Sequence, residues 1–167
     1  MMNVFARSAR VAVAAAKPAR LARFYASEAP ATSEKLRLTF VVPHQAIYKG
    51  VDVQQVNLAA TSGDMGILAN HVPTIEQLNP GIVEVIESGD VTKKFFVSGG
   101  FAIINPDSSL NINAVEAAKL EDLSIESVQS ALADAQRVAN GNGSEEEKAA
   151  AKIEVEVYEA IQSALSK

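Results

Sequence analysis

The apolar residues of this chain change their spacing near Glu116, from every second position to every third or fourth, and that switch constrains the fold most. A period of two lays one hydrophobic stripe along a pleated strand, whereas a period near 3.6 lays one along a helix. The two textures lie end to end rather than interleaved. The sequence therefore predicts an α+β chain, with an N-terminal antiparallel β-sandwich followed by a C-terminal antiparallel two-helix hairpin.

Alternation is plainest in Leu36-Arg37-Leu38-Thr39-Phe40, before Pro43 interrupts it. It recurs in Val56-Asn57-Leu58, Val83-Glu84-Val85 and Leu110-Asn111-Ile112-Asn113, with shorter apolar runs at Phe95-Phe96-Val97 and Ile103-Ile104. Between them stand turn signals that offer Pro or Gly: Lys49-Gly50, Ser62-Gly63-Asp64, Asn79-Pro80-Gly81, Ser88-Gly89-Asp90, Ser98-Gly99-Gly100 and Asn105-Pro106-Asp107. Short strands at a spacing of roughly ten residues, without helices between them, predict a sandwich or barrel over residues 36–117.

The remainder, residues 118–167, reads as helical. Ile125, Val128, Leu132, Ala135 and Ala139 share one face, with Asp122 or Ser124 placed to cap the start. Asn140-Gly141-Asn142-Gly143 then breaks the helix, and Ser144 with Glu147 spells a capping box for a second one. Ala150, Ile153, Val157, Ile161 and Leu165 form its expected stripe. Lengths of about 16 and about 21 residues give roughly 24 Å and roughly 31 Å, so the second helix should overhang the first. A lone hairpin buries little area, so its remaining apolar surface must dock on the sandwich or on another protein.

Charge divides the chain differently. Arg7, Arg10, Lys17, Arg20 and Arg23 precede the first carboxylate, Glu28. Five of the 15 basic residues thus fall in the first 25 positions, the other ten face all 20 acidic residues, and residues 26–167 carry a net charge of −10 against −5 for the whole chain. An Arg-rich, acid-free segment with Val4, Phe5, Val11, Val13 and Leu21 reads as a mitochondrial transit peptide over residues 1–25, Ala-rich rather than Ser-rich. Arg23-Phe24-Tyr25-Ala26-Ser27 resembles a processing site, with cleavage expected after Phe24 or Tyr25. Residues 26–35, rich in Ala, Ser, Glu and Pro, read as a flexible lead-in. So acidic a body argues against a nucleic-acid partner.

Chemistry is sparse. The chain has no cysteine, which removes disulfides, thiolate zinc sites and cysteine nucleophiles together. There is no phosphate-binding Gly-Lys-Ser or Gly-Lys-Thr and no helical His-Glu-x-x-His. His44 and His71 have no second His or acid at ligand spacing, and Ser98-Gly99-Gly100 lacks the flanking glycine of a nucleophile elbow. Neither a metal nor a cofactor is expected. The uncharged stretch Phe95 to Pro106 is interrupted by Gly99 and Gly100 and falls short of the roughly 20 apolar residues a membrane helix needs. Membrane association is expected only through a partner.

One segment is much more specific. Gly63-Asp64-Met65-Gly66-Ile67-Leu68-Ala69-Asn70-His71-Val72-Pro73 is preceded by Leu58-Ala59-Ala60-Thr61 and followed by Leu78-Asn79-Pro80-Gly81 and Phe96-Val97-Ser98-Gly99-Gly100-Phe101. In order and spacing this combination resembles the central-stalk family of F-type ATP synthases, called delta in mitochondria and epsilon in bacteria and chloroplasts. The following hairpin extends the resemblance over residues 36–167. It implies a non-catalytic rotor subunit of the mitochondrial enzyme, peripheral on the matrix side of the inner membrane. Such a subunit couples the c-ring to the gamma shaft, with a small mitochondrial epsilon subunit holding the hairpin. The implied partner-binding residues are Gly63, Asp64, Met65, Gly66 and His71. The turn matching Gly63 to Gly66 faces the polar loops of the c-ring, and His71 matches a histidine near shaft and ring. Asp is also a favoured turn residue, so Asp64 could serve only its own turn, and His71 could be a strand-edge hydrogen bonder.

Some bacterial relatives bind ATP on the hairpin through Ile or Leu, Asp, two residues, Arg and Ala. Here Leu123 is followed by Ser124 and Ser127, and Ile125 by Glu126 and Gln129, so neither register supplies the arginine. Nucleotide binding is not carried over. Two alternatives stand beside the rotor role: a small matrix hydrolase or isomerase using His71 with Asp64, and a regulatory subunit whose hairpin extends to inhibit ATP hydrolysis.

Overall fold

A computed structural model of the chain describes residues 34–89 and 91–166. The expected transit peptide and most of the lead-in lie outside these residues. The strands are β1 (Leu36–Val42), β2 (Gln45–Val53), β3 (Gln55–Ala60), β4 (Gly63–Leu68), β5 (Thr74–Leu78), β6 (Gly81–Ile86), β7 (Thr92–Val97), β8 (Gly100–Ile104), β9 (Ser109–Ala114) and β10 (Ala117–Lys119). A single 3-10 turn (Leu120–Asp122) leads into α1 (Ile125–Ala139) and α2 (Glu145–Leu165).

Hydrogen bonding follows one path that doubles back on itself. One layer runs β4-β3-β6-β7-β10 and the other β5-β8-β9-β1-β2. They join at a corner where β3 and β5 share the one pair Ala60↔Leu78, while β6 takes the same edge of β3 at Gln55 to Asn57. All pairs are antiparallel except β1 with β9, which run parallel.

The alternation in the sequence explains the core. Leu36, Leu38 and Phe40 of β1 and Leu110 and Ile112 of β9 point inward and are fully buried, as are Val56, Val83 and Val85 from the other layer. Phe40 meets Phe95 of β7 edge-to-face, 5.6 Å between centroids, so the two layers touch through aromatic rings. Each such side chain contributes about 1.5–3 kcal/mol by leaving water.

Some turn signals resolve differently. Pro43-His44 is the two-residue loop between β1 and β2, and His44 is exposed there. Lys49-Gly50 is not a turn but a bulge within β2, marked by register shifts against β1. The sheet also continues through β10, paired with β7, where helix was expected to begin.

The hairpin forms as read, with one shift of face. Ser144 accepts from the Glu147 amide at 3.2 Å and Glu147 Oε2 accepts from the Ser144 amide at 2.8 Å, completing the capping box. Ser124 occupies the N-cap of α1 without a side-chain bond. Val128 and Ala135 are buried in α1, but in α2 the buried residues are Ala151, Ile161 and Ala164, while Ile153 is 64% exposed and Ala150 is also exposed. The end of α2 and the start of α1 dock on the outer face of β6 and β7. Phe96, Val128, Ile161 and Ala164 form a second core there with Ile82, Leu123 and Val157. Phe95 and Val97 face the first core while Phe96 faces the second, so β7 serves both.

Candidate partner-binding site

The segment singled out in the sequence lies on the β3–β4 hairpin and the loop after it. Ala60 pairs with Gly63, so Thr61-Ser62 is the whole turn, and Ser62 Oγ donates to Glu76 at 2.8 Å. The expected turn at Gly63 to Gly66 is instead the first part of β4. Gly63 carries a left-handed φ of 128°, which suits its place at the turn exit, whereas Gly66 has no positive φ.

Pleating sorts the residues by face. Met65 and Ile67 sit opposite Leu58 and Val56 and turn toward the core, while Asp64 and Gly66 sit opposite Ala59 and Asn57 on the outer face. That face carries a polar ladder that alternation alone did not reveal. Gln55 Nε2 donates to Asn57 Oδ1 at 2.5 Å, Asn57 Nδ2 donates to Glu84 Oε2 at 3.1 Å, and Lys94 Nζ lies 3.1 Å from Glu84 Oε1. A Cβ at Gly66 would approach Gln55 Nε2 at 3.1 Å and Asn57 Oδ1 at 3.2 Å. Gly66 therefore leaves room for the ladder. Asp64, Met65 and Gly66 form one wall of a groove of 550 Å³, floored by Asn57 and Ala59 and closed by Ala160 and Ala164 of α2.

His71 lies elsewhere. It is half-buried in the loop between β4 and β5, with its amide donating to Leu68 O at 3.3 Å and its Nδ1–H directed to Val72 O at 2.9 Å. Asp64 is near one end of β4 and His71 beyond the other, with about 13 Å of strand between Asp64 and Leu68. They form no acid–base pair, and the hydrolase alternative loses its two residues. A clasp not foreseen from sequence fixes this loop. The Asn70 amide donates to Ser108 Oγ at 2.9 Å, and Ser108 Oγ donates to Asn70 Oδ1 at 3.2 Å. Both residues are left-handed, with φ of 61° and 59°. Asn-x-x at the end of one strand and Pro-Asp-Ser between two others were the available signals.

On the opposite side of the sandwich from the hairpin, Ile75 pairs with Ile103 and Gln77 with Phe101, leaving Ile75 69% and Phe101 52% exposed. The signal was present in Phe101-Ala102-Ile103-Ile104, where apolar residues occupy both faces of one strand. Elsewhere, Tyr48 donates to Glu87 at 2.8 Å and Lys93 lies 2.8 Å from the same carboxylate. The bonds from Lys93 and then Tyr48 hold Glu87 below its usual range, and burial followed by Glu87 pushes the Tyr48 phenol up. The hairpin's arginine, Arg137, pairs with Asp134 in solvent at 2.5 Å. Among the described residues no group of His, Asp or Glu is gathered to hold a metal, and no helix is long and apolar enough to cross a membrane.

The model of the ATP synthase delta/epsilon chain β-sandwich domain matches residues 35–119. Mitochondrial ATP synthase subunit delta of Neurospora crassa is 53% identical over 137 residues, 82% of this chain and 83% of that one. The subunit of the same name from Yarrowia lipolytica is 52% identical over 156 residues, 92% and 94% of the two chains. A chain in the Euglena gracilis mitochondrial ATP synthase structure containing OSCP, F1 and c-ring superposes with a TM-score of 0.74 at 32% identity, covering 80% of this chain and 82% of that one. A chain of the Tetrahymena thermophila central stalk and c-ring, at 17% identity and a TM-score of 0.54, shares the fold. Strand pattern, hairpin and sequence agree: the chain belongs to the ATP synthase delta/epsilon family, among the mitochondrial delta subunits.

Proposed function

We propose that this chain is a non-catalytic central-stalk subunit of mitochondrial ATP synthase that joins the c-ring to the gamma shaft during proton-driven ATP synthesis. The observation that carries this is its 32% identity and common fold, over 80% of its length, with a chain in an assembly of F1 and c-ring. The body sits peripherally on the matrix side of the inner membrane, held there by the complex. Residues 1–25 act as the transit peptide.

Such a part needs stiffness and two contact surfaces more than reactivity. Two layers braced by one apolar core supply stiffness. The Gly63 to Gly66 stretch supports a ring contact, because Asp64 is an exposed acid able to accept hydrogen bonds from a basic loop and Gly66 adds no bulk. Met65 supports the contact from the inner side of the strand, and the clasp that fixes its loop supports a role for His71 toward ring and shaft. The exposed Ile75 and Phe101 suit the shaft. The small mitochondrial epsilon subunit takes the hairpin, where Ile153 remains uncovered.

Affinity isolation of the chain from gently solubilised mitochondria tests the assignment. Gamma and the c-ring should be recovered with it; a preparation that lacks both refutes it.

A further inference from the structure

An exposed strand edge invites another strand, and proteins protect such edges. β2 is distorted by its register shifts and carries Lys49, β10 has only three residues, and β5 is preceded by Pro73. β4 has none of these devices. It runs six residues in unbroken register with β3, from Gln55↔Leu68 to Ala60↔Gly63, and contains no Pro, Lys or bulge.

The backbone of that edge can be read from the turn. A two-residue loop makes Ala60 and Gly63 a hydrogen-bonded pair, and alternation then directs the N–H and C=O groups of Asp64 and Gly66 away from β3. A second observation agrees. Ala59, which faces Asp64, gives its carbonyl to the Asn79 amide at 3.1 Å on the far side of β3, so this row of residues turns its polar groups away from the β3–β4 seam. The Leu68 carbonyl already behaves as an outward group, accepting from the His71 amide at 3.3 Å. The side chains leave the approach open. Asp64 and Gly66 are exposed, no described residue bonds or pairs with the Asp64 carboxylate, and the 51% exposed Leu68 offers an apolar anchor at the far end.

We propose that β4 is completed in the assembled protein by an extended segment of a partner polypeptide, which adds as a further strand along Asp64–Leu68 and sets a basic side chain against Asp64. This rests on the rotor assignment and gives its ring-side contact a backbone mechanism. The charge selects a partner over a second copy. Two bodies of net charge −10 repel, and each brings its own Asp64 to the seam.

Hydrogen exchange in the intact solubilised ATP synthase and in the isolated full chain tests the proposal, together with Asp64→Pro and Asp64→Ala. A proline at 64 removes an outward N–H without removing a bond to β3. The amides of Asp64 and Gly66 should exchange about tenfold or more slowly in the complex than in the isolated chain. Asp64→Pro should lower recovery with the complex by about tenfold or more, and Asp64→Ala should lower it less, because alanine keeps the backbone donor. Unfolding of the isolated Asp64→Pro chain, followed in parallel, shows whether it folds; the exchange comparison uses unaltered protein and decides the question if it does not. Equal exchange at both amides in complex and isolated chain overturns the proposal. So does protection of both in a dimer of the isolated chain, which would assign the edge to a second copy. Failure to recover the unaltered chain with gamma and c-ring refutes the rotor assignment instead.

Discussion

Gly100→Ala should be among the most damaging small substitutions in the sandwich, for a reason separable from its neighbour's. Both Gly99 and Gly100 have positive φ, 148° and 145°, a conformation that costs an L-residue about 1–3 kcal/mol. Their surroundings differ. A Cβ at Gly99 would find its nearest neighbour, Leu78 O, at 3.5 Å, an ordinary contact. A Cβ at Gly100 would overlap the carbonyl oxygen of Asn113 and lie 2.8 Å from Ala114 Cα. Those are backbone atoms of β9, paired with β8 at Gly100↔Ala114, and they cannot rotate aside. Relief means parting the strands, which adds about 1–3 kcal/mol of overpacking and about 1 kcal/mol for a weakened ladder bond. Gly100→Ala should therefore cost about 3–7 kcal/mol, and Gly99→Ala about 1–3 kcal/mol. At about 4 °C per kcal/mol for a domain of this size, the first lowers Tm by roughly 12–28 °C and the second by roughly 4–12 °C. Thermal and urea unfolding of the full chain, followed by circular dichroism, measures both. If the two variants agree within about 0.5 kcal/mol, the close-approach explanation is wrong.

Three further outcomes follow from the packing. Phe96→Ala removes the side chain that joins sheet to hairpin, 4% exposed, and should cost about 3–5 kcal/mol; hydrogen exchange should speed up in the last turns of α2 and leave β1 and β9 unchanged. Glu87, held low by Lys93 and then Tyr48, contributes stability that is present above the unfolded glutamate pKa and is lost as pH falls through its folded value. Lys93→Gln should raise the Glu87 pKa and flatten that acid limb, and an unchanged carboxyl titration by NMR would count against the pair. Gly66→Ala crowds only the ends of two flexible side chains, so the isolated chain should lose less than about 1.5 kcal/mol, in contrast to Gly100→Ala, as urea unfolding will show.

The sequence was most legible where a strand has one buried and one wet face. β1, β3 and β9 alternate cleanly because only inward positions need apolar side chains. β2 and β4 were hidden by the converse. Both are edge strands with mostly exposed residues, so their conformation comes from pairing with a neighbour rather than from a stripe of their own. The face of α2 shifted for a similar reason. Ala151 and Ala164 are buried because alanine permits close helix approach, while Ile153, the stronger hydrophobic signal, is turned outward. Periodicity weighted by side-chain size cannot anticipate that choice when a helix packs on a second helix and on a sheet.

The candidate site shows the same division between pattern and placement. Gly63, Asp64, Met65, Gly66 and His71 drew notice as one stretch of chain, yet the strand period sends Met65 inward and β4 carries His71 to the opposite end. What stays together is smaller: an acid, a glycine and the backbone between them, on an unprotected edge. Gly66 has no need of a left-handed conformation, so its lack of a side chain must be valued for space, and the space lies over the amides of Gln55 and Asn57. A rotor contact built on such an edge transmits load through main-chain hydrogen bonds into β3 and from there into the core. Exposed acid–base pairs alone contribute about 0–1 kcal/mol each and are screened by salt, so they would hold a turning joint poorly. In the proposed contact, backbone pairing would supply the stiffness, and Asp64 would serve chiefly to choose the partner and set its register.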